Sequence, residues 1–125
     1  TADADWMAVA IALSRRGQPA AAPNPNVGCL LVKDGCIVAR GWSQPGGRPH
    51  AEAMAVAAAG EAARGATAYV TLEPCAHASP RGPACSDALI AAGIARVVIA
   101  AQDPDPRTDG KGIKGLQEAG EGGVF

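Results

Sequence analysis

The residues best suited to chemistry fall in two strings: Pro49-His50-Ala51-Glu52, and Glu73-Pro74-Cys75-Ala76-His77 running on to Pro83-Ala84-Cys85. A histidine, a nearby carboxylate and two downstream cysteines are what a catalytic zinc with a separate proton carrier requires. His50 offers a neutral imidazole nitrogen and Cys75 and Cys85 offer thiolates. Three protein ligands leave the fourth tetrahedral position open for water, and zinc lowers the pKa of that water toward neutrality, so hydroxide is available at pH 7. Glu52 shares the first turn of one helix with His50 and cannot easily bind the same ion. It is therefore placed to carry the water's proton to a ring nitrogen of an amidine-like substrate and then to the departing amine. The chain has two histidines, His50 and His77, and both lie inside these strings.

Each motif also has a plainer reading. A His-Ala-Glu string opens many ordinary helices, cysteines are often buried as small hydrophobes, and a structural Cys/His zinc competes with a catalytic one. The intact Glu52 favours catalysis, because a purely structural site has no use for that carboxylate. The pattern of His-x-Glu, then Pro-Cys, then a later Cys resembles the signature of zinc-dependent base deaminases.

Composition sets the outer limits. At 125 residues the chain is expected to be a single domain over 1–125, burying roughly two thirds of the surface its unfolded form exposes. A net charge of −1 and an aromatic content of 3% provide neither a basic field nor stacking platforms, which argues against a nucleic-acid substrate. Charged residues, Gly or Pro interrupt every apolar stretch before it reaches the length of a membrane span. Four cysteines without a signal-like run point to a reducing, cytoplasmic compartment rather than a disulfide framework.

The elements that must position the site follow in chain order. Asp5 to Arg16 has helical spacing in Trp6, Val9, Ala10 and Leu13, with acidic residues at its start and Arg15-Arg16 before Gly17; Trp6 is expected to anchor a core. Residues 18–26 form a Pro-rich loop in which Pro23 and Pro25 restrict Asn24, whose side-chain amide could pair with a heterocycle edge. Val27–Val32 and Ile37–Ala39 read as antiparallel strands joined at Lys33-Asp34-Gly35, with Cys29 and Cys36 as structural residues. His50–Ala59 reads as a helix buried on several sides, interrupted mainly by Glu52, and Ala68–Leu72 as the strand that delivers Cys75. Pro83 opens a helix over 84–92 with Cys85 in its first turn, where a thiolate is favoured. Ala95–Ala100 is a fourth strand, Asp103-Pro104-Asp105-Pro106 a rigid turn carrying two carboxylates, and residues 113–119 a short final helix. Strands alternating with helices after residue 50 predict a three-layer α/β/α domain around a mixed central sheet. Between the cysteines, His77 and Arg81 sit on a loop pinned beside the metal.

Pro23-Asn24-Pro25-Asn26-Val27-Gly28-Cys29, His50-Ala51-Glu52, Thr71-Leu72-Glu73-Pro74-Cys75-Ala76-His77, Asp87-Ala88-Leu89-Ile90 and Asp103-Pro104 together resemble the diaminohydroxyphosphoribosylaminopyrimidine deaminases of riboflavin biosynthesis, within the cytidine-deaminase-like superfamily. The resemblance implies hydrolytic removal of an amino group from a ribosylaminopyrimidinone 5′-phosphate. It implies Zn2+ on His50, Cys75 and Cys85, proton transfer by Glu52, pyrimidine contacts from Asn24 and His77, and a charge-assisted phosphate contact from Arg81; Asp105 joins the candidate substrate-binding set. It also implies a homo-oligomer; many members of the family carry a reductase domain that residues 1–125 do not hold, so the chain is expected to stand alone, to work with a separate reductase, or to be a fragment or a relative with another substrate. Ser43 and Asp105 favour a neighbouring alternative, a deaminase of a free base or nucleoside such as guanine, cytosine or cytidine. A tRNA-editing deaminase fits less well because the chain lacks basic surface. The alternative of another class is a non-catalytic, zinc-stabilised nucleotide-binding module.

Overall fold

Asp34 and Gly35 both adopt left-handed backbone, with φ 53° and 75°. This is the conformation a two-residue turn needs to match the twist of paired antiparallel strands. They join β1 (Gly28–Lys33) to β2 (Cys36–Trp42), in a register running from Lys33 opposite Cys36 to Gly28 opposite Trp42, with one irregularity between Leu31 and Val32. The computed structural model describes residues 2–17, 26–44, 50–72, 85–101 and 122–124.

Before this hairpin comes α1 (Ala2–Ser14), closed by a 3-10 turn over Arg15–Gly17. After it come α2 (Ala51–Ala59), a 3-10 turn over Gly60–Ala63, β3 (Thr67–Val70), α3 (Cys85–Ala91), β4 (Arg96–Ile99) and β5 (Gly122–Val124). The sheet order is β2-β1-β3-β4-β5. β1 is antiparallel to both its neighbours, while β3, β4 and β5 are parallel.

Period-two alternation divides the core between the two faces of the sheet. Cys29 and Leu31 of β1, Ala68 and Val70 of β3 and Val97 and Ile99 of β4 pack with Ala51 and Ala55 of α2 and Leu89 of α3. Leu30, Val32, Tyr69 and Val98 point the other way, against Ala10 and Leu13 of α1. The expected three-layer α/β/α arrangement is therefore present, with α1 on one face and α2 and α3 on the other. Burial on both sides explains why β1 reads as an unbroken apolar run rather than an alternating one.

Two glycines set how closely the helices lie on the sheet. A Cβ at Gly28 would overlap the Ala10 carbonyl oxygen and sit 2.9 Å from the Ser14 nitrogen, so Gly28 is the floor under α1. A Cβ at Gly41 would overlap the Ala51 carbonyl oxygen and sit 2.9 Å from the Ala55 nitrogen, so Gly41 is the floor under α2.

Several expectations change in detail. The first helix starts at Ala2 rather than Asp5, because Asp3 is tied down: its carboxylate accepts hydrogen bonds from Arg96 (2.9 and 2.6 Å) and from the Tyr69 hydroxyl (2.7 Å). Trp6 is a half-buried anchor, packed on the α1-side core yet also lining a shallow surface pocket with Ala2, Asp5 and Val9. α2 is less enclosed than its sequence suggests, since Ala57 and Ala58 are exposed. Cys36 is exposed beside the turn. β5 was not expected; Gly-Gly-Val has little strand propensity of its own, and its pairing with β4 defines it. The helix expected over 113–119 lies outside the described residues.

Candidate metal and catalytic site

The hairpin extends beyond its strands. The Ser43 N–H donates to the Val27 carbonyl (3.0 Å), and the Val27 N–H donates to the Ser43 hydroxyl (2.9 Å). Ser43, 3% exposed, thus fastens the start of β1 to the segment that leads toward His50. The Gln44 amide nitrogen donates to the Trp42 carbonyl (2.8 Å) and lies 2.9 Å from the Met54 sulfur, linking the same segment to α2.

His50 is the N-cap of α2, with extended backbone (φ −69°, ψ 164°), and its carbonyl accepts the Met54 N–H (3.1 Å). Its imidazole does not cap the helix, so the ring is not spent on the backbone donors that Ser, Thr, Asp or Asn side chains usually satisfy at this position. Glu52 follows in the first turn and is 3% exposed. Other contacts hold the residue, but its Oε1 is buried without a hydrogen bond. A carboxylate costs several kcal/mol to remove from water unless it is compensated. A cation and its bound water beside His50 are the kind of compensation that such a site accommodates.

Cys29 lies on the same face and is fully buried. Burial pushes its thiol pKa well up, and the nearby charge of Glu52 adds to the effect. Cys29 is therefore held as a neutral thiol, in line with a structural rather than a ligand role.

The other strands deliver their following segments to the same end of the sheet. The Gly28 N–H donates to the Thr71 hydroxyl (3.0 Å) and the Thr71 N–H to the Gly28 carbonyl (3.1 Å), prolonging the pairing of β1 and β3 just before the segment that carries Cys75. The Ala100 N–H donates to the Val70 carbonyl (3.1 Å), so β4 ends beside β3 before the segment that carries Asp105. The start of β1 and the ends of β2, β3 and β4 thus share one sheet end. This is where an open α/β sheet binds ligands, beyond the carboxyl ends of its parallel strands. α3 begins at Cys85 and rests against α2 on the same face, anchored by the fully buried Leu89.

Of the expected site residues, His50 and Glu52 are brought together at the start of α2. Cys85 is located by its backbone at the start of α3. Asn24, Cys75, His77, Arg81 and Asp105 lie outside the described residues. Among the described residues no three His, Cys, Asp or Glu side chains gather into a metal-binding group, and the thiolates of Cys75 and Cys85 are not among them. Three polar residues at this end carry roles that spacing alone did not reveal. Ser43 and Thr71 are hydrogen-bond acceptors for β1, and Asn26 has a buried Oδ1 without a hydrogen-bond partner. Only the position of Asn26, two residues before β1, could have drawn notice to it.

The model of the cytidine and deoxycytidylate deaminase zinc-binding region matches residues 1–101. The riboflavin biosynthesis protein RibD of Escherichia coli (strain K12) is 58% identical over 118 residues, covering 94% of this chain and 32% of its own length. The diaminohydroxyphosphoribosylamino-pyrimidine deaminase of Buchnera aphidicola subsp. Acyrthosiphon pisum (strain APS) is 51% identical over 118 residues, covering 94% of this chain and 80% of its own length. The structure of Acinetobacter baumannii RibD (form 1) superposes with a TM-score of 0.93 at 49% identity, over 98% of this chain and 34% of that one. The chain thus spans about a third of the length of the RibD relatives it matches.

Proposed function

Because the chain belongs to the cytidine and deoxycytidylate deaminase family, in its diaminohydroxyphosphoribosylaminopyrimidine deaminase branch, we propose that it hydrolyses the ring amine of diaminohydroxyphosphoribosylaminopyrimidine, the deamination step of riboflavin biosynthesis. The observation that carries this reading is the placement of Glu52, 3% exposed in the first turn of the helix that follows His50.

In the reaction the substrate's C–NH2 bond breaks, a C=O group forms with the oxygen of water, and ammonia leaves. Bound zinc supplies a Lewis acid that acidifies the attacking water. His50, Cys75 and Cys85 would hold it, and the donor set of one imidazole and two thiolates fits a three-ligand catalytic site. Glu52 takes one proton from the attacking water at its carboxylate and passes it to the ring nitrogen next to the attacked carbon, then takes the second proton from the new hydroxyl as the C=O group forms and passes it to the leaving amine. Burial of Glu52 excludes bulk water from this relay. Asn24 and His77 orient the pyrimidine edge, Arg81 pairs with the 5′-phosphate, and Asp105 lines the substrate side.

The family reading extends to a cytoplasmic homo-oligomer, testable by sedimentation of the purified chain, and to a reductase activity that resides outside residues 1–125. Among the described residues no helix is long and apolar enough to cross a membrane.

The test is ammonia release from zinc-loaded protein offered the phosphorylated diaminopyrimidinone, guanine, cytosine, cytidine and adenosine. Turnover of the phosphorylated pyrimidine is expected. Turnover of a free base or nucleoside alone would move the chain to a neighbouring branch, and no turnover of any would reduce it to a binding module.

A further inference from the structure

We infer that Gly41, an edge-strand residue with no side chain to offer chemistry, is a positioning residue for the reaction: the missing side chain seats the first turn of α2 against β2 and so fixes where His50 and Glu52 stand. The inference rests on the proposed deaminase reading for its catalytic consequence, and on geometry alone for its structural one.

Gly41 lies directly opposite Cys29 in the β1–β2 register, on the face that carries α2. A Cβ built there would overlap the Ala51 carbonyl oxygen and stand 2.9 Å from the Ala55 nitrogen and 3.0 Å from the Ala51 carbonyl carbon. All three are backbone atoms of the turn that contains Glu52, so no rotamer change can make room. The helix itself has to retreat, by about 1 Å to restore ordinary contact distances.

The consequence is directional. His50 and Glu52 sit on the turn that would move, whereas Cys75 follows β3 and Cys85 begins α3. α3 rests on α2 and can follow it, so a Gly41 substitution changes the separation of His50 and Glu52 from β3, the strand that precedes Cys75, rather than shifting the site as a whole. Misplacing catalytic groups by about 1 Å can cost on the order of 100-fold in rate.

Gly28 provides a matched comparison. A Cβ there meets backbone of α1 just as closely, the Ala10 oxygen and the Ser14 nitrogen at 2.9 Å, but on the opposite face of the sheet. Gly28→Ala should strain the fold to a similar degree while leaving α2 seated.

The experiment compares full-length wild-type, Gly41→Ala and Gly28→Ala chains loaded with Co2+ in place of Zn2+. It records the thiolate-to-cobalt and d–d absorption bands, the melting temperature, and kcat and KM for the phosphorylated pyrimidine. The expected result is that both variants melt lower, that only Gly41→Ala shifts the cobalt bands, and that its kcat falls about 10- to 100-fold with KM changed much less. Unshifted bands and wild-type kcat in a folded Gly41→Ala protein would overturn the inference, as would equal band shifts in both variants.

If Gly41→Ala does not fold, amide hydrogen exchange on the wild-type chain before and after zinc addition decides the matter. Seating by Gly41 predicts that the Ala55 amide is protected before zinc is added. Protection that arises only with zinc assigns the positioning to the metal and removes Gly41 from it. A wild-type chain that binds cobalt but deaminates nothing would refute the proposed function while leaving the spectral and exchange comparisons readable.

Discussion

Replacing Glu52 with glutamine separates proton transfer from every other property of the site. Glutamine matches glutamate in volume and keeps one carbonyl oxygen, so the first turn of α2, with Ala51 and Ala55 fully buried beneath it, has no reason to rearrange. What disappears is the ability to accept a proton. At 3% exposure the position is closed to bulk water, so no solvent base can substitute, and the expected loss is that of a general acid–base group, about 100- to 10,000-fold in kcat. At 1.36 kcal/mol per tenfold, that corresponds to roughly 2.7–5.5 kcal/mol of transition-state stabilisation. Zinc content should not change, because the proposed ligands are His50, Cys75 and Cys85. The zinc-free variant should be at least as stable as the zinc-free wild type, since an amide is cheaper to desolvate than a carboxylate. Ammonia release, elemental zinc analysis and thermal melts on the same preparations provide the three readouts. Activity within tenfold of wild type would refute the proton-carrier role, and a loss of bound zinc would show that Glu52 is a ligand.

Three other perturbations test neighbouring parts of the structure. Cys85→Ser should lower zinc affinity on the order of 10-fold or more, measured by competition with a chelator, because an alcohol is a far poorer zinc donor than a thiolate; unchanged affinity removes Cys85 from the ligand set. Thr71→Val leaves the Gly28 N–H without its acceptor at 3.0 Å and should cost about 1–3 kcal/mol in urea unfolding, with no cost expected if water replaces the hydroxyl. The Asp3 carboxyl is held down to about 2 by hydrogen bonds from Arg96 and Tyr69, below the ordinary carboxylate value of about 4. A depressed folded-state pKa stabilises the fold above the unfolded value, and that stabilisation is lost as pH falls through the folded one. The melting-temperature difference between wild type and Asp3→Asn should therefore be constant above about pH 5 and vanish toward pH 2; a difference that persists unchanged at pH 2 would place its origin elsewhere.

The deaminase family was legible from sequence because its strings combine residue types that few other roles bring together: His50 and Glu52 two positions apart, and Pro-Cys at 74–75 followed by Cys85 behind Pro83. The hairpin was legible for a similar reason. Asp34-Gly35 can tolerate the two positive φ angles that the turn demands, and the apolar runs on either side have nowhere to go but into a sheet. The alternation of strand and helix after residue 50 was enough to predict a mixed sheet in three layers, and the family strings specified the branch.

Tertiary structure decided what local pattern does not encode. Gly41 reads in sequence as one glycine among 16, and only the fold shows α2 backbone pressed against it. Ser43 reads as a loop residue, yet its hydroxyl is committed to the Val27 N–H. Asp3 reads as one acidic residue favouring a helix start, yet it joins α1 to Arg96, 93 positions away. β5 has no strand signal and exists by pairing with β4. Each of these depends on a contact between segments distant in the chain. Residue type determines what a side chain can do, whereas the packing of sheet against helix determines which of those capacities is used.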